Sequence, residues 1–422
     1  MGRKTGTAVV AALVACMFQP AEACLQMGAN FWNLNWQGDE AFIQGGQWGS
    51  WNPTFISQIQ IYSSLRFMDW NAVNMTAASS WANRVQKSAG CSQCNNQNTP
   101  IAYEWQIDVV NHVPGCGYWL NVPCKADSNY VDSLAVLVHS LLGPGRKVFL
   151  EYANETWWES ASVAYVTAAG NALGSGLSTI NGVYGNANFL GHCYLAAQMW
   201  TWFRNAWRQA VGDTGLCIRV LAGQAGYGGG EECHYMLEAI ASAKVNPSGQ
   251  RCDLFAIAPY FDGDPAGAEP MVSSHYAWCK AKGVSLCCYE GGPDGHPSDS
   301  ATMTEYVSML DKYINGPYNQ YTHSGGQWGA VENGYYQALA DWAGTHSCTP
   351  AYTAVRAPCR ASRPPASSLR ALLAGRDVKL YTLDGQRIPA LTARRTAGCC
   401  IAAVPGSPLL RVFSLPAVFD KY

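Results

Sequence analysis

Two glutamates in this chain stand where short apolar, β-like runs give way to polar sequence rich in Gly, Asn and Trp. One is Glu155, in Val148-Phe-Leu-Glu-Tyr-Ala-Asn-Glu-Thr-Trp-Trp158; the other is Glu290, in Leu286-Cys-Cys-Tyr-Glu-Gly-Gly292. Two carboxyl groups facing one pocket are what cleavage of a glycosidic bond requires. One is protonated and donates to the leaving oxygen, while the other is ionised and attacks or supports the oxocarbenium-like carbon. Their surroundings must hold the two proton affinities apart, and burial against Trp157 and Trp158 is expected to do this for the acid. An asparagine beside the acid, Asn154, can hold a sugar hydroxyl, and a nearby cation would keep the nucleophile ionised. Each glutamate also has a plainer reading: Glu155 as an acid complementing a helix N-terminus, and Glu290 as the partner of an arginine inside a barrel.

Such residues need a scaffold that brings distant strand ends together. β-like runs occur at 27–31, 65–70, 119–122, 148–152, 217–222, 255–259, 284–289 and, more weakly, 318–323. Helix-like stretches at 133–142, 187–211, 232–244, 275–282 and 303–314 lie between them. Alternation of this kind argues for parallel βαβ units, and eight of them between residues 24 and 350 predict an α/β fold, a (β/α)8 TIM barrel with insertions. A doubly wound sheet is the rival. It would favour a glycine-rich fingerprint after the first strand, where Trp32 and Asn33 stand instead. In a parallel barrel the C-terminal strand ends form the active face, which is where Glu155 and Glu290 fall.

Composition narrows the classes further. The chain has 422 residues, 27 basic and 29 acidic, with 48% apolar and 13% charged residues. These values exclude a disordered chain, a coiled coil and a nucleic-acid binder with a global basic field. Trp and Tyr number 16 and 22 against 12 Phe, and flat rings with a polar handle suit stacking on sugars. Trp32, Trp36, Trp48, Trp51, Trp70, Trp157 and Trp158 are accordingly expected around a cleft. Arg3 and Lys4, an apolar run from Ala8 to Phe18 and Ala21-Glu22-Ala23 read as a secretory signal over 1–23. No later stretch is apolar for long enough to span a membrane. Removing Cys16 with that signal leaves an even number of cysteines bound for an oxidising compartment, so several disulfides are expected, Cys91-Ser-Gln-Cys94 as a local one. The histidines show no H-E-x-x-H-like metal spacing, and neither metal nor cofactor is expected.

Residues 351–422 hold 9 Arg and 2 Lys against 3 Asp, a net charge of +8. Pro358, Pro364 and Pro365 lie among Ala, Ser and Arg, which marks 351–367 as a linker. Beyond it, Val378–Ile388 alternates apolar and polar residues around Asp384-Gly385, a hairpin signal, and runs at 399–404 and 409–415 complete a small β-rich tail over 368–422.

The ordered motifs of residues 25–345 resemble the large clan of (β/α)8-barrel retaining glycoside hydrolases, which carry Asn-Glu at the end of strand four and Glu at the end of strand seven. Tyr152-Ala-Asn-Glu-Thr-Trp-Trp158, together with Leu65-Arg-Phe-Met-Asp-Trp-Asn71 and Trp119-Leu-Asn-Val-Pro123, is also similar to secreted bacterial proteins often labelled cellulose-binding. The resemblance implies Glu155 as acid/base and Glu290 as nucleophile. It implies Asn154 at the sugar 2-hydroxyl, Arg66 supporting the nucleophile and Tyr260 hydrogen-bonded to it. Trp328 would be an aromatic platform after the eighth strand, with Trp157 and Asn71 as further substrate-binding residues. The implied partner is a β-linked polysaccharide and the implied location is secreted or cell-surface. Two positions depart from the pattern: Cys124 stands where related sequences hold His, and the His that many members place two residues before the tyrosine is Ala258 here. These departures motivate the alternative of a non-catalytic carbohydrate-binding protein on a degenerate barrel. The tail, with Tyr381-Thr-Leu-Asp-Gly-Gln-Arg387 and Ala397-Gly398-Cys399, resembles the sorting modules of type IX-like secretion systems.

Overall fold

The computed structural model describes residues 27–30, 43, 47–60, 62–68, 70, 73, 79–88, 101–158, 160–211, 215–226, 228–261, 264–292, 300–314 and 319–321, and in the tail 379–381, 387–388, 399–403 and 411–414. Chain contacts divide it into two compact units, Met1–Pro350 and Ala351–Tyr422.

The first unit is mixed α/β. Its strands β1 (Met27–Asn30), β2 (Ser64–Arg66), β3 (Gly117–Val122), β4 (Val148–Tyr152), β5 (Cys217–Ala222), β6 (Leu254–Ile257), β7 (Ser285–Cys288) and β8 (Asn319–Tyr321) form one curled sheet. Every neighbouring pair in it is parallel. The order closes on itself, because β1 pairs with both β2 and β8. Each of the eight runs anticipated from the sequence thus overlaps a strand. Helices α1 (Pro53–Ile59), α2 (Tyr103–His112), α3 (Ser128–Leu141), α4 (Ser160–Ala172), α5 (Ala187–Val211), α6 (Glu231–Ala241), α7 (Glu269–Lys282) and α8 (Ser300–Asp311) fall between strands. The sequence reading lacks α1, α2 and α4. In α4, only weakly amphipathic Ala/Ser-rich sequence leaves no clear stripe for a 3.6-residue period to reveal.

Strand alternation sorts the side chains into two cores. Trp119, Phe149, Val220, Ala222, Leu254, Ala256, Cys287 and Tyr289 face the inside of the curl, where the Trp119 and Phe149 rings stack at 5.3 Å. Val148, Leu150, Leu286 and Cys288 face the helices. Glu151 shares the inward parity of Phe149, so a charge enters the interior. Helix ends follow ordinary chemistry. Asp127 caps α3 by accepting from the Tyr130 N–H at 2.7 Å; α7 begins with Glu269-Pro270 and ends at Gly283 with φ 65°. Helix α5 buries Phe189, Cys193, Ala196, Trp200, Phe203 and Trp207 along one face, and Trp200 Nε1 donates to the Leu150 carbonyl at 3.0 Å, fastening the helix to β4.

The nine cysteines at 116, 124, 193, 217, 233, 252, 279, 287 and 288 are buried thiols. This corrects the expectation of a disulfide framework for the described residues: these side chains fill the core as small apolar groups. The closest approach recorded, Cys233 Sγ to Cys279 Sγ at 3.8 Å, is a hydrogen-bond contact. Cys91 and Cys94 lie outside the described residues. So does the 1–23 segment, and among the described residues no helix is long and apolar enough to cross a membrane.

Buried Glu232, at the start of α6, accepts from the Gln224 N–H at 3.0 Å through Oε1, while Oε2 has no hydrogen-bond partner. Burial pushes its carboxyl up to about 8 from an ordinary value of 4.5, against the pull of that single donor. Below pH 4.5 the folded and unfolded chains both hold the proton. Between 4.5 and about 8 only the folded chain does, so stability falls as pH rises through that window. Glu232→Gln is therefore expected to raise Tm at pH 8 and to leave it nearly unchanged at pH 4.5. A glutamine variant that melts earlier than the parent at pH 8 would show the argument to be wrong.

In the second unit β9 (Lys379–Tyr381), β10 (Arg387–Ile388), β11 (Cys399–Ala403) and β12 (Arg411–Ser414) form an antiparallel sheet in the order β10-β9-β11-β12. The two strands flanking Asp384-Gly385 pair antiparallel in it and the two following runs contribute β11 and β12; the turn itself lies outside the described residues.

Candidate functional site

Residues at or beyond the C-terminal ends of β4 and β7 converge on one guanidinium at the end of β2. Arg66, the last residue of β2, is completely buried. Its Nε and Nη2 donate to the two carboxylate oxygens of Glu151, each at 2.7 Å. Nη2 also donates to Asn154 Oδ1 at 2.7 Å, and Nη1 to Glu290 Oε2 at 3.1 Å. The carbon of the guanidinium lies 5.0 Å from the centroid of the Tyr289 ring. A planar fork with five donors suits four acceptor atoms at once, which an ammonium could not serve. Burial by itself would lower the proton affinity of Arg66; the carboxylates of Glu151 and Glu290 more than offset this and keep it charged.

Glu290, two residues beyond β7, is buried and also accepts from the Tyr260 hydroxyl at 2.9 Å, Tyr260 lying just beyond β6. Glu155, half-buried, accepts from the Tyr289 hydroxyl at 2.7 Å. Tyr289 thus spans from the residue beside Glu290 to the Glu155 carboxylate. Burial pushes the Glu290 carboxyl up, and the charge of Glu155 adds to this, while Arg66 and Tyr260 pull it back; the outcome is about 8. The charges of Glu155 and Glu290 therefore oppose one another across the site.

The end of β4 is sharply bent. Ala153 and Glu155 have φ of 53° and 39°, a left-handed conformation that costs non-glycine residues of order 1 kcal/mol or more each. The bend is held from several sides. The Ala153 N–H donates to the Val122 carbonyl at 2.8 Å, and Asn121 Nδ2 donates to the Ala153 carbonyl at 2.8 Å. Thr156 Oγ1 lies 2.9 Å from His192 Nδ1 on α5. Burial lowers the His192 imidazole to about 3, so that it is neutral there. The bend turns Asn154 into the Arg66 cluster and leaves Glu155 partly open.

Arg66, Asn154, Tyr260 and Glu290 are therefore brought together, with Glu155 joined to them through Tyr289. Asn71 and Trp328 lie outside the described residues. Two expectations are corrected. The more deeply buried carboxyl is Glu290 rather than Glu155, because Trp157 leans toward His192, their rings 6.2 Å apart, and Trp158 is 74% exposed. Trp51 and Trp70 are core residues: both pack edge-on against half-buried Trp48, at 5.7 and 6.1 Å, and Trp51 Nε1 donates to Asp108 at 2.6 Å. Glu104, on α2, is paired with Arg84 at 2.9 Å. Cys124, at the departing position, is buried, and its carbonyl accepts from the Tyr152 hydroxyl at 2.8 Å.

Sequence reasoning missed Glu151, Trp119, Tyr289 and His192. Glu151 accepts from Trp119 Nε1 at 2.6 Å as well as from Arg66. A charged residue at an inward position of an otherwise apolar strand was the available signal for it. Nothing in the sequence pointed to His192, which reaches the bend from α5. Among the described residues no cluster of His, Cys, Asp and Glu is arranged to hold a metal ion.

No family model and no curated protein matches the sequence. Solved structures to which the chain is similar include an endo-β-1,4-mannanase double mutant from Cellulomonas fimi, at 12% identity and a TM-score of 0.42 over 75% of this chain and 71% of that one. A GH5-4 broad-specificity endoglucanase from Clostridium longisporum aligns at 10% identity and a TM-score of 0.41, over 79% of this chain and 97% of that one. A GH128 endo-β-1,3-glucanase from Lentinula edodes aligns at 12% identity and a TM-score of 0.31, over 71% and 83% of the two chains.

Proposed function

We propose that this chain is a retaining glycoside hydrolase acting on a β-linked polysaccharide, with residues 24–350 as a (β/α)8 catalytic domain. In this reading residues 1–23 are a secretory signal, 351–367 a linker and 368–422 a sorting or accessory module of a secreted or cell-surface protein. The observation that carries the proposal is the pair Glu155 and Glu290, far apart in sequence, linked through Tyr289 and unequally supplied with hydrogen-bond donors.

Glu290 receives Arg66 and Tyr260, two donors that favour negative charge on it, which suits Glu290 as the nucleophile and Glu155 as the acid. In the first step Glu155 protonates the glycosidic oxygen while a Glu290 oxygen attacks the anomeric carbon. The bond to the leaving sugar breaks and an ester to Glu290 forms. Glu155, now a carboxylate, then takes a proton from water, whose oxygen attacks the same carbon and releases Glu290. Asn154 must face its carbonyl toward Arg66, because a guanidinium only donates. That orientation directs the Asn154 NH2 group to donate to a sugar hydroxyl. Glu151 and Trp119 touch no reacting atom in this scheme; they position Arg66.

The test is a panel of cellulose, xylan, mannan and β-1,3-glucan, assayed for new reducing ends and for pull-down, with the anomer of the first product followed by NMR. Hydrolysis with a β-configured first product is expected. Pull-down without new reducing ends would favour the non-catalytic binding protein instead, and an α-configured first product would exclude the double displacement.

A further inference from the structure

The turn that carries Glu155 sends two consecutive tryptophans into opposite surroundings. Trp157 is half-buried against the core, whereas Trp158 is 74% exposed; every other described tryptophan is buried or half-buried. An indole has a large apolar face whose burial is strongly favourable, so folding alone gives no reason to leave this one in water.

The backbone beneath it is fixed. The Trp158 N–H donates to the Glu155 carbonyl at 2.8 Å, closing a tight turn. Asn188 Nδ2 donates to the Thr156 carbonyl at 2.9 Å, and His192 meets the Thr156 hydroxyl. The ends of such a turn are within about 7 Å of each other, so the indole is tethered close to Glu155. Asn154, on one side of Glu155 in the chain, is bound into the Arg66 cluster; Trp158, on the other side, faces solvent.

We infer that Trp158 is the stacking platform for the pyranose ring on the leaving-group side of the scissile bond, an assignment that rests on the two-glutamate reading. Glu290 must lie beneath the anomeric carbon of one sugar, whereas Glu155 must reach the oxygen that joins it to the next. A ring tethered to the turn of the acid, and apart from the Arg66 cluster, is placed for that next sugar. The face of a pyranose that carries axial C–H bonds is apolar and slightly positive at hydrogen, which complements the negative face of an indole.

Calorimetry on the full chain carrying Glu290→Gln, with cellotetraose, mannotetraose and laminaritetraose as probes, tests the assignment. Adding Trp158→Ala is expected to weaken binding of whichever tetraose the parent binds by roughly tenfold, the scale of a tryptophan anchor, and Trp158→Phe is expected to recover most of it. Equal affinity of the alanine variant and its parent, or no tetraose bound by the parent, overturns the platform. The two-glutamate reading fails on a different result, polysaccharide hydrolysis that persists in Glu290→Ala.

Discussion

Glu290→Ala is expected to lower hydrolysis of any β-glycan that the intact protein cleaves by at least about 10⁴-fold, equivalent to about 5 kcal/mol of transition-state stabilisation, with circular dichroism unchanged. The size of the effect follows from the role: without the carboxylate no ester to the sugar can form, and the remaining groups only bind and polarise. Stability should not suffer in proportion, because Glu290 is buried beside a like charge, and Arg66 keeps both oxygens of Glu151 when it is gone. Added azide has a clear expected outcome in this variant. It fits the space vacated by the carboxylate, attacks the anomeric carbon from the same face and yields an α-glycosyl azide detectable by mass spectrometry and NMR. Undiminished hydrolysis by Glu290→Ala would remove the nucleophile from this site.

The second large effect is at Arg66. Arg66→Met should cost about 3–5 kcal/mol of stability, measured by denaturant unfolding, because it strands the buried carboxylate of Glu151 without its cation. Activity should be lost together with stability: Asn154 loses the donor that orients it, and Glu290 loses one of the two donors that favour its charge. Arg66→Lys should rescue little, since one ammonium cannot reach Glu151, Asn154 and Glu290 in the geometry of a fork. Arg66→Met combined with Glu151→Gln separates the two roles. The double variant should regain much of the lost stability, because Glu151 no longer carries an unpaired buried charge, yet remain inactive. If the double variant recovers activity as well, Arg66 serves structure alone.

Much of the scaffold was legible before any coordinates. The apolar runs at 148–152, 217–222 and 255–259 are short, rich in Val, Ile, Leu and Phe and separated by helical sequence, a pattern that buried parallel strands leave because both of their faces are covered. Helix α5 was readable to the residue at both ends, since its apolar face repeats over seven turns. The site was legible in part. Asn154-Glu155 and Glu290 announced themselves as acids just past strand ends, but Glu151 was hidden within an apolar run, and the tryptophans misled. Trp51 and Trp70 belong to the core, and an aromatic in a glycine-rich segment looks the same whether it lines a cleft or packs against another ring.

By itself, then, the sequence determined the alternation of strands and helices, the strand ends at which acids stand and the basic, proline-marked break before the tail, because each of these is a local or periodic property of neighbouring residues. Only the tertiary structure decided that one guanidinium serves Glu151, Asn154 and Glu290, that Tyr289 spans to Glu155, that the deeper carboxyl is Glu290 and that nine cysteines remain thiols. Those outcomes depend on distances between residues more than 80 positions apart, and on how much water each retains, and both are set by the closing of the sheet.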